Sequence, residues 1–339
     1  MTGKGSAAED RPGGPSTVPD GQHDLVLVVI LGILWGAAFP VIRAGIVAGV
    51  PPLIFASERY FLTALALALI ALALRTPRLS RAGLLSPILF GGLLMIGAYG
   101  GLLYLGEQTT SGGLAAVLTA SAPLASALIG YRLLPAERFG RWGTVGLGVG
   151  FVGVAVLVLP GLLATRQAGI EGPLLVVAAV LAFATGSVLL RRTSHVPPGF
   201  GVLSLQFAVA GAMVGALALL GGESATLGNA SVSLPALAFL VVFPGIIGYT
   251  LYFRIHHSSG PTRANLVGYV NPVTGVLVGL LIFGETVTIV EIAGLALIAL
   301  GLFLLQRDRR PRAAERDHPT IAPAEATGPE PGPTRSRPD

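Results

Sequence analysis

Long apolar segments alternate with short polar ones along most of this chain. A membrane-spanning helix needs about 20 apolar residues to cross roughly 30 Å of hydrocarbon. Ten runs have about this length: Leu25–Val47, Leu53–Leu74, Leu84–Gly106, Gly113–Leu134, Trp142–Leu163, Pro173–Leu190, Gly201–Gly221, Leu234–Ile255, Thr262–Phe283 and Val287–Gln306. The pattern therefore predicts an all-α polytopic membrane protein with ten transmembrane helices.

The second half of the chain repeats the first. A shift of 149 residues places the fourth run on the ninth, and after the following turn a shift of 148 places the fifth on the tenth. The matched positions are Ala115 and Ala264, Pro123 and Pro272, Gly130 and Gly279, Glu137 and Glu285, Gly146 and Gly294, and Gly153 and Gly301. Such an internal repeat indicates a duplication of a five-helix unit.

Composition agrees with a lipid environment and removes several classes of function. Hydrophobic residues make up 53% and charged residues 12% of the chain, with a mean hydropathy of +0.76, so there are too few charges for a water-facing surface. The absence of cysteine excludes disulfides, thiolate nucleophiles and cysteine-containing metal sites. The net charge of +5 does not indicate nucleic-acid binding, because the basic residues are scattered over short loops.

Arginines concentrate in every second loop. They follow the even-numbered runs: Arg75, Arg78 and Arg81; Arg132, Arg138 and Arg141; Arg191 and Arg192; Arg254 and Arg263; and Arg307, Arg309, Arg310 and Arg312. By the positive-inside rule these loops and both termini are cytoplasmic. Because each half has an odd number of spans, the second half is inverted relative to the first, as in many secondary transporters.

Three motifs on this plan resemble the drug/metabolite transporter (DMT) superfamily, and within it the EamA-like family. They are Trp35-Gly36-Ala37-Ala38-Phe39 in the first span, Pro52 with Arg59-Tyr60-Phe61-Leu62 in the second, and Ala264-Asn265 through Pro272 to Gly284-Glu285 in the last two. The resemblance implies two EamA-like five-helix repeats at 24–163 and 172–306. The polar flanks at 1–23 and 307–339 are expected to be disordered cytoplasmic tails.

The resemblance also implies a function. It predicts a multi-pass protein of the plasma (inner) membrane that moves a small amino-acid-like, purine-like or amphipathic drug-like metabolite by alternating access, with export preferred and proton coupling left open. The small multidrug members of the superfamily use a glutamate in the first span, which this chain lacks, so their coupling mechanism does not transfer. No cofactor, metal or nucleic-acid partner is expected; a monomer is feasible and a homodimer stays open.

Two other function classes remain as alternatives. One is a membrane-embedded enzyme that modifies lipid or isoprenoid, although no HExxH, paired-aspartate or GxSxG pattern occurs in the sequence. The other is an uncoupled facilitator or channel, although no polar filter is evident.

Several residues are candidates for substrate binding. Trp35, Phe39 and Arg43 lie at i, i+4 and i+8 of the first span, where they form either a cavity wall with a cation or a lipid-facing edge with a snorkelling arginine. Asn265, Tyr269 and Asn271 in the ninth span either bind substrate or join helices. The remaining candidates are Tyr99, Thr119 and Tyr249.

Two prolines and one acid complete the prediction. Pro123 and Pro272 lie near the centres of the fourth and ninth spans, where each frees a carbonyl and is expected to break its helix. Glu58 is the only acid well within a span, so it is the candidate for proton coupling, with an expected partner in Arg43. Its alternative is an ordinary interfacial charge.

Overall fold

The computed structural model describes residues 21–75, 83–133, 140–163, 170–193, 199–252, 254–255 and 267–307. The predicted site residue Asn265 and nearly all of both predicted tails lie outside these ranges. The first helix begins at Gly21, so the last three residues assigned to the amino-terminal tail are helical.

Within these ranges the fold consists of ten helices in the order of the ten predicted spans. They are α1 (Gly21–Val47), α2 (Pro52–Ala73), α3 (Pro87–Gly106), α4 (Gly112–Leu133), α5 (Arg141–Leu163), α6 (Glu171–Thr193), α7 (Phe200–Leu220), α8 (Ala230–Tyr252), α9 (Val267–Phe283) and α10 (Ile289–Arg307). Nine are long and apolar enough to cross a membrane, and the described part of α9 is a shorter apolar helix. The predicted all-α membrane fold is confirmed.

The two five-helix halves interlock rather than stand side by side. The largest contacts join α5 to α10, α3 to α6, α2 to α7, and α1 to α9, and each of these pairs takes one helix from each half. The contact of α3 with α7 also corresponds to the contact of α8 with α2 when the two halves are exchanged. This pairing is the one expected of two inverted repeats around a pseudo-two-fold axis.

Glycines allow a close crossing of α5 and α10. A β-carbon added to Gly146 would lie 2.6 Å from the carbonyl oxygen of Gly301, and one added to Gly153 would lie 2.9 Å from that of Gly294. Because Gly146 corresponds to Gly294 and Gly153 to Gly301, the two contacts are copies of each other. Small residues of this kind let membrane helices approach backbone to backbone.

The third helix of each half contains a widened turn. Residues Pro87–Ala98 of α3 and Val241–Ile247 of α8 have π-helical hydrogen bonding, and both segments end at positions related by the 149-residue shift. A π segment redirects side chains and loosens the carbonyl ladder, and such segments are frequent at functional sites.

The two central prolines act differently. Helix α4 is interrupted at Ala120 and Ser121, directly before Pro123, where Thr119 and Ser121 turn their hydroxyls back onto the carbonyls of Ala116 and Leu118. In contrast, α9 continues through Pro272, so the interruption expected there is not found. With its nitrogen oriented toward acceptors, the Asn271 amide donates to the carbonyl of Val267 at 3.1 Å and reinforces the turn before Pro272. The position in α4 that corresponds to Asn271 is Ala122, which cannot form this bond.

Acidic side chains close one end of the bundle. We call it the capped end, and it consists of the connections α1–α2 and α3–α4 together with the connections that follow α7 and α9. Glu285 accepts from the amides of Gly112 and Gly113 at 2.8 and 2.9 Å, at the start of α4. Glu223 accepts from the amide of Ile54 at 2.9 Å, at the start of α2. These carboxylates satisfy amides that the first turn of a helix leaves free. The arginine distribution predicts that the capped end faces outward.

Replacement of Gly301 by valine should destabilise the protein, because its new methyl groups would meet the backbone of Gly146 and Gly150. We expect a loss of at least about 2 kcal/mol, measured by thermal unfolding in detergent. Gly148→Val is the matched control, since Gly148 lies on α5 with open space around it. Equal losses in both variants would show that the crossing does not depend on close approach.

Glu285→Ala should also lower stability, because it removes the acceptor of two partly buried amides at the start of α4. Hydrogen bonds to a charged group contribute about 1.5 to 3 kcal/mol, so we expect a loss in this range. Glu171→Ala removes an exposed acid from the first turn of α6 and should change the stability by less than about 0.5 kcal/mol. Similar unfolding temperatures for the two variants would contradict the capping role.

Candidate functional site

Six aromatic side chains from five helices meet between the two halves. We call them the aromatic cluster: Trp35 of α1, Tyr60 of α2, Tyr104 of α3, Phe207 of α7, and Tyr249 and Tyr252 of α8. Ring centroids are 5.4 Å apart for Trp35 and Tyr249, 5.4 Å for Phe207 and Tyr249, and 5.6 Å for Tyr60 and Phe207. These separations are typical of favourable tilted and edge-to-face pairs. Both halves contribute to the cluster, so their relative movement would change its shape.

The widened turn of α8 and two glycines make this packing possible. The Trp35 indole donates to the carbonyl oxygen of Pro244, inside the π segment, at 3.1 Å. A β-carbon on Gly248 would lie 2.6 Å from the indole nitrogen, and one on Gly100 would collide with the Tyr60 hydroxyl. Two rings of the cluster thus depend on positions without a side chain.

Arg59 is the cation of the cluster. Its Nη1 donates to the Tyr104 hydroxyl at 3.1 Å, and its guanidinium carbon lies 5.9 Å from the centre of the Tyr60 ring. Its Nε atom is buried and has no hydrogen-bond partner. Among the described residues no carboxylate forms an ion pair with Arg59. A charge within a membrane span normally has a partner, so this arginine is a candidate for a functional residue.

A second unusual charge, Glu107, directly follows α3 at the capped end. Its side chain is fully buried, and neither carboxyl oxygen has a hydrogen-bond partner. Burial raises the pKa of the Glu107 carboxyl well above its usual range, and Glu285 raises it further, while Arg43 and Arg59 act in the opposite direction. Burial therefore favours the neutral form of Glu107 while the capped end is closed.

The expected pairing of Glu58 with Arg43 is not found. The Arg43 guanidinium instead donates to the backbone carbonyl of Glu107, because α2 packs mainly against α7 and only lightly on α1. Glu58 lies on the same face of α2 as the exposed Leu62, Leu65 and Leu69, whereas Arg59 lies at the edge of the buried face. This position fits the interfacial alternative, and a role for Glu58 in proton coupling stays a prediction.

The other predicted residues divide into those near the cluster and those that join helices. The ring centroid of Tyr99 lies 5.5 Å from that of Phe183 of α6, and Phe39 is buried in the core. Asn271 also donates to the Gly32 carbonyl of α1 at 3.1 Å. The two remaining residues bond locally or at a helix end: Thr119 donates to the Ala116 carbonyl at 2.9 Å, and the Tyr269 hydroxyl accepts from Gln306 at 2.5 Å.

Sequence reasoning thus placed Trp35 and Tyr249 at the site but missed its charged members. In the sequence Arg59 stands out only as part of a family motif, and Glu107 does not stand out as a site residue. The signal that separates Glu58 from Arg59 is the apolar stripe formed with Leu62, Leu65 and Leu69 at helical spacing, which marks the exposed face of α2. No comparable pattern marks Glu107.

Comparisons with known proteins agree with this architecture. The family described as "EamA-like transporter family" matches residues 24–159 and 170–307. An Escherichia coli protein named "Uncharacterized inner membrane transporter YedA" is 30% identical over 81% of this chain and 88% of its own length. A Salmonella typhimurium protein named "Probable amino-acid metabolite efflux pump" is 25% identical over 84% and 94%. One crystal structure aligns with a TM-score of 0.60 at 20% identity, over 85% of this chain and 99% of its own, and shares the fold.

The buried Glu107 predicts a pH dependence of opening at the capped end. A carboxyl that is neutral when buried loses its proton when water reaches it, so a rise in pH above the ordinary carboxyl pKa of about 4.3 favours the open form. The chain has no cysteine, and Thr110 beside Glu107 is 2% exposed. Labelling of Thr110→Cys by a membrane-impermeant maleimide should therefore become faster as the pH rises.

Gln108→Cys is the matched control, because Gln108 is exposed in the same connection. Its labelling rate reports how the ionisation of the thiol alone changes the reaction with pH. In a Glu107→Gln background, the ratio of the two labelling rates should no longer change with pH. An unchanged pH dependence in that background would contradict the assignment to Glu107. Labelling from outside intact cells also tests the predicted orientation.

Proposed function

The chain belongs to the EamA-like transporter family, and from that premise we propose that it moves a small metabolite across the plasma membrane by alternating access. Its two inverted halves would rock about the aromatic cluster and expose it to one side of the membrane at a time. The observation that carries this proposal is the cluster itself. It holds a cation without an ion pair, it is built from both halves, and its helices α3 and α8 contain widened turns.

The described conformation is the one in which the capped end is closed. Opening it would release Glu285 from the start of α4, Glu223 from the start of α2, and Arg43 from the carbonyl of Glu107. Water can replace each of these contacts once the end is open, so the two conformations differ by exchange of hydrogen bonds rather than by their loss. The interrupted α4 and the π segments of α3 and α8 are the places where the helices can bend.

Export is the preferred direction, and one relative named as an efflux pump is consistent with it. Protons are the proposed coupling ion, with two candidate carriers. Glu58 was predicted from the sequence, and the buried position of Glu107 makes it the stronger candidate. A carboxyl that is neutral in one conformation and ionised in the other binds and releases a proton in each cycle.

Flux in proteoliposomes with an imposed pH gradient tests this function. We expect the gradient to drive the movement of one class in a panel of amino acids, purines, aromatic acids and cationic dyes. Glu107→Gln should abolish the effect of the gradient while exchange of substrate against substrate continues, and Glu58→Gln should leave both unchanged. Loss of coupling in Glu58→Gln alone would return the role to Glu58. Equal flux with and without a gradient in all proteins would indicate an uncoupled facilitator.

A further inference from the structure

We propose that Arg59 binds the carboxylate of an organic monoanion with a flat, apolar body, and that this anion is the transported substrate. The inference rests on the proposed function and narrows its substrate class. It starts from a cation that the described part of the protein leaves without a counter-ion.

The acids around Arg59 are already used in other ways. Glu285 is held by the amides of Gly112 and Gly113, and the carboxyl of Glu107 has no hydrogen-bond partner and no ion pair with either Arg43 or Arg59. Glu58 lies on the exposed stripe of α2. The negative charge that would complete Arg59 must therefore come from outside this set of residues.

The guanidinium also has free hydrogen-bonding capacity. Arginine has five N–H donors, and the described contacts of Arg59 use Nη1 on Tyr104 while Nε stays without a partner. A carboxylate can accept two parallel N–H bonds from a guanidinium, which makes arginine well suited to this group. Among the described residues no second cation contacts Arg59, so a ligand with a single negative charge matches it.

The surroundings of Arg59 indicate the rest of the ligand. From the guanidinium a series of contacting rings continues through Tyr60, Phe207, Tyr249 and Trp35. Ring faces and edges bind flat apolar groups, and indole and phenol rings lose little side-chain entropy on binding. The ligand class is therefore a carboxylate on an aromatic or similarly flat apolar body.

Binding can be measured separately from transport, because the chain contains only two tryptophans. Trp142 is 43% exposed at the start of α5, so Trp142→Phe leaves Trp35 in the aromatic cluster as the single fluorescent reporter. The purified full-length variant in detergent is titrated with 3-phenylpropanoate, with its neutral amide, and with 3-phenylpropylamine. We expect a saturable change in Trp35 emission with the anion, and affinities at least about 10-fold weaker for the amide and the amine.

Substitutions of Arg59 in the same background complete the test. Arg59→Gln should reduce the affinity for the anion to that for the amide, and Arg59→Lys should give an intermediate value. Arg132→Gln removes the same charge from an exposed position on α4 and should bind the anion as the parent does. Equal affinity for anion and amide, or unchanged anion binding in Arg59→Gln, would overturn the proposal. The comparison of anion with amide needs no substitution at Arg59, so it stands even where Arg59→Gln does not fold.

The same ligands in proteoliposomes separate this inference from the proposed function. Charge-selective binding without flux would support the site and contradict transport of this ligand. Flux that makes no distinction between anion, amide and amine would support transport and contradict the assignment of Arg59.

Discussion

Hydrogen bonding without water is the constraint on which this structure depends. In the hydrocarbon core each polar group needs a partner within the protein, because an unsatisfied one is costly. The chain meets that requirement in two places: within the bundle Trp35 donates to a carbonyl of the π segment in α8, and at the capped end Glu285 and Glu223 accept from amides at the starts of α4 and α2. Against this background of satisfied groups, the free Nε of Arg59 and the bare carboxyl of Glu107 become informative.

Arg59 and Glu107 have different consequences for the proposed transport cycle. Arg59 keeps its charge at every relevant pH and therefore creates a permanent demand for an anion in the cluster. Burial of Glu107 favours its neutral form, so the cost of burying this carboxyl depends on pH and on the conformation of the capped end. Together they place a fixed charge and a titratable one on neighbouring helices, an arrangement in which substrate and proton can each influence the conformation.

The general architecture could be predicted from the sequence, because it depends on features that are periodic. Run lengths predict the ten helices, the shifts of 148 and 149 residues predict the duplication, and the motif in the first span points to Trp35. Side-chain partners could not be predicted in the same way. Whether Arg43 meets Glu58 or Glu107 depends on how α1, α2 and α3 pack, and no local pattern encodes that packing. The different behaviour of Pro123 and Pro272 likewise depends on neighbours, Ala122 in one half and Asn271 in the other.

The crossing of α5 and α10 has a consequence for how such a chain can change in evolution. Gly146 lies against Gly301, the counterpart of Gly153, and Gly153 lies against Gly294, the counterpart of Gly146. A larger side chain at Gly146, Gly153 or Gly301 would push on a carbonyl of the other copy of the ancestral unit, and one at Gly294 would push on the Leu157 side chain of that copy. After duplication, the two copies were therefore free to diverge around the substrate but not here. These four positions form one inherited unit, and each copy limits the substitutions that the other can accept.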